Sequence, residues 1–266
     1  MDYNGFMDYN TLALRLHEQY KGKITTKLRD SSKIDKEKLS AYYSPGVGAI
    51  SQAIATNPAD LSKYTWTNNL VAVVSDGSAI LGLGDLGPKA AMPVMEGKAL
   101  LFKHFADIDS VPIVLDVHTP DEIVSAIKAI APSFGAINLE DIAAPKCFEI
   151  EERLKTELDI PVFHDDQHGT AVVTLAGLIN AMKVVKKDLK SAKIVMIGAG
   201  AAGTAIAKLL HKYGAENIYA VDSRGIISDA RDDLNEEKKA LKSYLRTDVS
   251  GGLSDAITDA DIFIGV

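Results

Sequence analysis

An α/β architecture with parallel strands is what this sequence predicts, and three observations predict it. Short apolar runs alternate with stretches of helical period along the chain. One run, KIVMIG at 193–198, leads straight into a glycine turn and a further helix. The composition is globular, with 266 residues, 47% hydrophobic and 24% charged. At ~150 residues per domain that length predicts about two domains.

The elements follow in order. Candidate strands are 70–74 (LVAVV), 112–115 (PIVL), 135–139 (GAINL), 161–163 (PVF), 193–198 (KIVMIG), 217–221 (NIYAV) and 261–266 (DIFIGV). Helices fall between them. Ser44-Pro45 supplies an N-cap and a first-turn proline, and Val47, Ile50 and Ile54 recur at helical spacing. Residues 94–105 (VMEGKALLFKHF) read as helix despite Gly97. Thr119 and Glu122 form a capping box, with Ile123, Ile127 and Ile130 following on one face. The apolar stretch 170–185 is shorter than a bilayer span and reads as a buried core helix. The polar tract 224–250 holds a helix near 234–245 and no evident chemistry.

The boundary falls within 160–190, with the helix 169–186 as the connection. This divides the chain into an N-terminal α/β domain, 1–160, and a Rossmann-type dinucleotide-binding domain, 161–266. The latter shows its first mononucleotide half plus one further strand, and the chain stops inside the apolar run DIFIGV. The expectation is a fold incomplete at its C-terminus, short by roughly a hundred residues.

The formal net charge is −7, with no basic block. That argues against nucleic acid and against a polybasic membrane anchor. The single cysteine, Cys147, excludes an intrachain disulfide framework and fits a cytoplasmic setting. The opening MDYNGFMDYN lacks the charged and apolar regions of a secretory signal.

Residues 198–203 read Gly198-Ala199-Gly200-Ala201-Ala202-Gly203, a GxGxxG in full dinucleotide context. Gly198 permits the tight turn, Gly200 a close approach of backbone to pyrophosphate, and Gly203 close helix–strand packing. The helix N-terminus at Ala201 and Ala202 offers N–H donors to the phosphates. Asp222, at the end of NIYAV, suits the ribose 2′-OH of NAD and repels a 2′-phosphate. Arg224 offers relief of that repulsion, so NAD is preferred with NADP as the second option.

Two acidic pairs close two strands: Glu140-Asp141 after GAINL and Asp165-Asp166 after PVF. On neighbouring strands all four carboxylates would meet in one crevice. They repel one another unless a cation lies between them, and hard oxygen donors select Mg²⁺ or Mn²⁺. The plainer reading of Asp165-Asp166 is a helix cap. His164 and His168 have the spacing of zinc ligands, but without thiols or a third histidine the oxygen site is preferred.

Lys98 sits on a largely apolar helix, where a lysine ordinarily snorkels to the surface. Drawn into a crevice instead, its pKa would fall toward that of a general base. Glu96, two residues away, points elsewhere. Tyr43 precedes a helix start and reads either as packing or as a general acid. The glycines of Ser75–Ser78 and 81–87 make either tight turns or a backbone cradle for a small anion.

Taken together, YSPGVG (43–48), SDGSAILGLGDLGPKAAMPVMEGKALLFK (75–103), NLEDI (138–142), FHDDQHGTA (163–171) and IGAGAAG (197–203) resemble the malic enzymes, in the compact bacterial form. The resemblance runs from about residue 20 to the end of the chain. It implies oxidative decarboxylation of (S)-malate to pyruvate and CO₂ with NAD(P)⁺ and Mg²⁺ or Mn²⁺. By position, it implies Glu140, Asp141 and Asp166 as metal ligands and Lys98 as the base at the C2 hydroxyl. It further implies Tyr43 as the acid at C3 and Asp165 as a network residue coupled to Lys98. It also implies a homodimer or dimer of dimers.

The chain departs from the long-form pattern at Ala79, where a substrate-clamping arginine is expected. The substrate carboxylate then falls to other donors, such as N–H groups of the 81–87 loop. Two other readings compete. One is a metal-independent two-domain dehydrogenase acting on another small acid. The other is a non-catalytic NAD-binding module derived from such an enzyme.

Overall fold

The structure, a computed structural model, describes residues 9–266. Residues 1–8, which open the stretch read above for a secretory signal, lie outside the described residues. The described chain divides into two compact units: residues 9–117, 125–138 and 158–161, and residues 118–124, 139–157 and 162–266.

The first unit opens with four helices, α1 (Tyr9–Tyr20), α2 (Lys36–Tyr42), α3 (Val47–Thr56) and α4 (Leu61–Tyr64). None of the four carries a buried residue. Asp35 caps α2, its carboxylate accepting from Lys38 N–H. The expected N-cap at Ser44 is corrected: α3 begins after Gly46, whose own N–H donates to the Ser40 carbonyl at 2.8 Å. A Cβ on Gly46 would lie 2.6 Å from the Ala41 carbonyl oxygen. The end of α2 therefore crowds this turn and delays the helix start.

β1 (Leu70–Ser75), α5 (Pro88–Ala106) and β2 (Asp109–Val114) follow, with β1 and β2 parallel and Val73 opposite Pro112. Pro88 opens α5, where its missing N–H costs nothing. Next come α6 (Pro120–Ile130), β3 (Ala136–Leu139), α7 (Lys146–Glu157) and β4 (Val162–His164). The capping box of α6 forms in both directions, Thr119 N–H to Glu122 at 3.0 Å and Glu122 N–H to Thr119 Oγ1 at 3.3 Å. These strands make a sheet of order β2-β1-β3-β4.

The second unit continues with α8 (Asp165–Val185), β5 (Ile194–Ile197), α9 (Ala201–Tyr213), β6 (Ile218–Asp222) and β7 (Gly225–Ile226). It closes with α10 (Glu236–Leu241), α11 (Leu253–Ile257) and β8 (Ile262–Gly265). The sheet order is β7-β6-β5-β8. β6 and β8 run parallel to β5, and the two-residue β7 runs antiparallel to β6. Strand alternation sorts the core: Ile194 and Met196 join the cluster holding Ala171, Met182, Ile206 and Leu210, while Val195 joins Val221, Ile226 and Ala256.

α8 is not the buried core helix expected of 170–185. Its 21 residues are long and apolar enough, by length and composition, to cross a membrane. Yet only Gln167, Ala171 and Met182 are buried, and Val173 and Val184 are 67% and 81% exposed. One stripe of the helix packs into the core beside α9, and the opposite stripe has no such cover among the described residues.

Candidate functional site

Glu140 and Asp141 follow β3 directly, and Asp166 stands in the first turn of α8 directly after β4. One oxygen from each of these carboxylates lies within 4.8 Å of the others. Glu140 and Asp141 are buried, at 5% and 4% exposure, while the Asp166 side chain is 36% exposed. The Asp141 N–H donates to Asp166 Oδ2 at 2.9 Å. Asp141 adopts φ +52°, the left-handed region that aspartate visits more readily than most residues. The backbone is thus bent at the point where two distant turns converge. Three close carboxylates, two of them removed from water, repel unless a cation lies between them. All-oxygen donors of this kind fit Mg²⁺ or Mn²⁺.

Asp165 does not join the trio, which corrects the expectation that all four carboxylates meet. Its side chain folds back over the first turn of α8, where a Cβ at position 169 would collide with Asp165 Oδ1. Gly169 leaves that space open. His164 is fully buried, and neither ring nitrogen has a hydrogen-bond partner among the described residues. Burial lowers its pKa against the opposing pull of Asp166, whose Oδ2 is 3.6 Å from Nε2. His168 meets a carboxylate instead, Glu151 at 2.8 Å.

The dinucleotide turn is built as its glycines suggest. Gly198 has φ +104°. A Cβ on Gly203 would collide with the Gly198 carbonyl, while a Cβ on Gly200 would meet open space. Gly200 is the N-cap of α9, and Ala201 and Ala202 open the helix with no side-chain cap. The first-turn N–H groups therefore remain for an anion.

Asp222 ends β6, but its surroundings differ from the expected ones. Its Oδ1 accepts from Arg224 N–H at 2.9 Å and from Arg231 Nη1 at 2.7 Å, and its Oδ2 from Lys238 Nζ at 2.6 Å. Burial pushes its pKa up, but these donors outweigh burial and hold it at about 2. The Arg224 guanidinium turns to Asp233 at 2.8 Å. Relief of charge at Asp222 therefore comes from Arg231 and Lys238, both within the tract that offered no chemistry in sequence. The signal was an Arg and a Lys placed 9 and 16 residues beyond an acidic strand end.

Lys98 and Tyr43 belong to the first unit. Lys98 is half-buried on α5, between the buried Met95 and Ala99. Tyr43 is the C-cap of α2 and 73% exposed. Glu96 points elsewhere, as expected, accepting from Lys23 N–H at 3.1 Å. The 81–87 loop turns several amides upon itself: Leu83 donates to Ile80, and Leu86 and Gly87 donate to Gly77. Those three N–H groups are engaged within the protein.

A parallel sheet with this glycine turn, helix and acidic strand end defines a dinucleotide-binding α/β protein. Residues 21–155 match the malic enzyme N-terminal domain, in two overlapping stretches, and residues 167–259 match the malic enzyme NAD-binding domain. The chain belongs to the malic enzyme family. It is 52% identical over 256 residues to the bifunctional malic/malolactic enzyme of Bacillus subtilis, covering 96% of this chain and 62% of that protein. It is 55% identical over 249 residues to the NAD-dependent malic enzyme of Geobacillus stearothermophilus, covering 91% and 52%. The crystal structure of an NAD-dependent malic enzyme from Thermotoga maritima superposes with a TM-score of 0.92 at 50% identity, covering 96% of this chain and 68% of that one. The chain thus spans between half and two thirds of the length of these two curated relatives.

Proposed function

We propose that this protein oxidatively decarboxylates (S)-malate to pyruvate and CO₂, using NAD⁺ and a divalent cation. The observation that carries the reading is the convergence of Glu140, Asp141 and Asp166 within 4.8 Å. These residues would hold Mg²⁺ or Mn²⁺, and the cation would supply Lewis acidity to the substrate. Lys98 takes the proton from the C2 hydroxyl; a bound nicotinamide would supply the hydride acceptor. After CO₂ departs, Tyr43 returns a proton to C3. Asp165 acts in the network that includes Lys98. The chain divides by function near residue 160, substrate chemistry before it and dinucleotide binding after it, with Asp166 reaching back across that line. The Gly198–Gly203 turn and the first-turn N–H groups of Ala201 and Ala202 take the pyrophosphate. Asp222 faces the adenosine ribose, which favours NAD over NADP.

The working unit is a cytoplasmic homodimer. Helices α1 to α4 bury none of their residues, and a cavity of about 530 Å³ beside Leu16, Tyr20, Ile24 and Leu100 remains open. A second copy is the natural cover for such a surface.

The test is malate-dependent NADH formation with Mn²⁺. Loss of that activity in Lys98→Ala is expected; full activity in this variant would remove the assigned base. Activity that survives exhaustive chelation would favour the metal-independent reading.

A further inference from the structure

The first turn of α8 has no side-chain cap of its own, since the N-cap residue is His164 and its ring caps nothing. A carboxylate from another helix takes the N–H of the N-cap residue and two side chains of that turn. Glu151 of α7 is buried at 5% exposure. Its Oε1 accepts the His164 N–H at 3.1 Å, and its Oε2 accepts Gln167 Nε2 at 3.3 Å. His168 Nε2 lies 2.8 Å from Oε1, and Lys155 Nζ 2.7 Å from it. In a capping box, a Glu at the third helical position accepts the N-cap N–H. Here that third position is Gln167, and Glu151 accepts the same N–H from outside the helix. Its negative charge also lies at the positive end of the α8 dipole.

A buried carboxylate with this many donors is costly to place unless the geometry is kept. What it keeps is the rotation and depth of a single helical turn. That turn carries Asp166, whose Oδ2 is held by the Asp141 N–H. We infer that Glu151 is a positioning residue for the cation site: through His164 N–H, Gln167 and His168 it fixes the turn from which Asp166 reaches Glu140 and Asp141. The inference rests on the reading of that trio as a cation site. Groups that orient metal ligands typically change metal affinity by roughly 10- to 100-fold when removed.

The test measures Mn²⁺ binding to the 266-residue chain by electron paramagnetic resonance, below the melting temperature of each variant. Glu151→Gln keeps the shape but places an amide among four donors, and its Mn²⁺ affinity should fall about tenfold. Glu149→Gln on the same helix loses an ion pair with Arg153 and does not reach α8; its affinity should match wild type. A residue that only stabilised the fold would lower the melting temperature and leave affinity intact. Should Glu151→Gln fail to fold, Gln167→Ala removes one grip from the α8 side and should weaken Mn²⁺ several-fold. Wild-type affinity in whichever of these two variants folds overturns the positioning role. Wild-type protein that binds Mn²⁺ no more tightly than Asp166→Asn overturns the cation reading itself, and the positioning role with it.

Discussion

Lys238 Nζ lies 2.6 Å from Asp222 Oδ2, linking α10 to the acidic end of β6 across sixteen residues of chain. Arg231 completes the arrangement at 2.7 Å on the other oxygen. The carboxylate proposed to select NAD is therefore held by two cations that would favour a 2′-phosphate if released. Asp222→Asn should shift the ratio of NADP⁺ to NAD⁺ affinity at least tenfold toward NADP⁺. Calorimetric titration of both cofactors reads it directly; an unchanged ratio would remove Asp222 from cofactor selection.

The same ion pairs set an acid limit. The pKa of Asp222 falls from 3.8 to about 2 on folding. A depressed carboxyl pKa contributes stability that is complete above the unfolded value and is lost as pH falls through the folded one. The shift corresponds to about 2 kcal/mol. Wild type should lose that increment between about pH 4 and pH 2, and Asp222→Asn should show a flatter profile in urea titrations across that window.

The glycine turn allows stability and binding to be separated. A Cβ at Gly203 collides with the Gly198 carbonyl, so Gly203→Ala should destabilise the second unit by roughly 1–3 kcal/mol. A Cβ at Gly200 meets no protein atom within 4 Å. Gly200→Ala should leave the melting temperature within a few degrees of wild type while weakening NAD⁺ binding about tenfold or more. Equal binding by Gly200→Ala and wild type would show that no ligand approaches this backbone.

Local rules made much of this legible. Each strand from 70 to 266 was readable except β7, a two-residue antiparallel return at Gly225–Ile226 that carries no period of its own. The carboxylate trio was readable because its members close strands that lie side by side in one sheet. Asp165 stays out of the close trio because Gly169 leaves room for its side chain along the helix, a choice of rotamer that spacing does not encode. Arg231, Lys238 and Glu151 escaped notice because their partners lie far along the chain or on another helix. The exposure of α8 escaped notice because an apolar composition is the same whether one stripe or the whole helix is covered.

Cys147 is buried in α7, and burial, with the nearby charges of Asp166 and Glu151, pushes its thiol up to about 12. Only the thiolate attacks disulfide reagents. At pH 8 the native protein should react with an aromatic disulfide reagent at least a hundredfold more slowly than the urea-unfolded chain. Rapid stoichiometric labelling of the native protein would contradict the burial.

Leu14, Tyr20 and Leu28 are 75%, 69% and 70% exposed in a segment whose helices bury nothing. Removing such side chains from water is favourable at about 25 cal/mol per Å². A second copy gains that energy only if these residues are in its interface. Leu14→Glu combined with Tyr20→Glu should therefore raise the dimer dissociation constant about a hundredfold or more, with no change in the circular dichroism of the folded chain. Light scattering behind size exclusion reads the mass of each species. A wild-type chain that is monomeric at micromolar concentration would overturn the proposed homodimer, and a double variant that stays dimeric would exclude this surface as its interface.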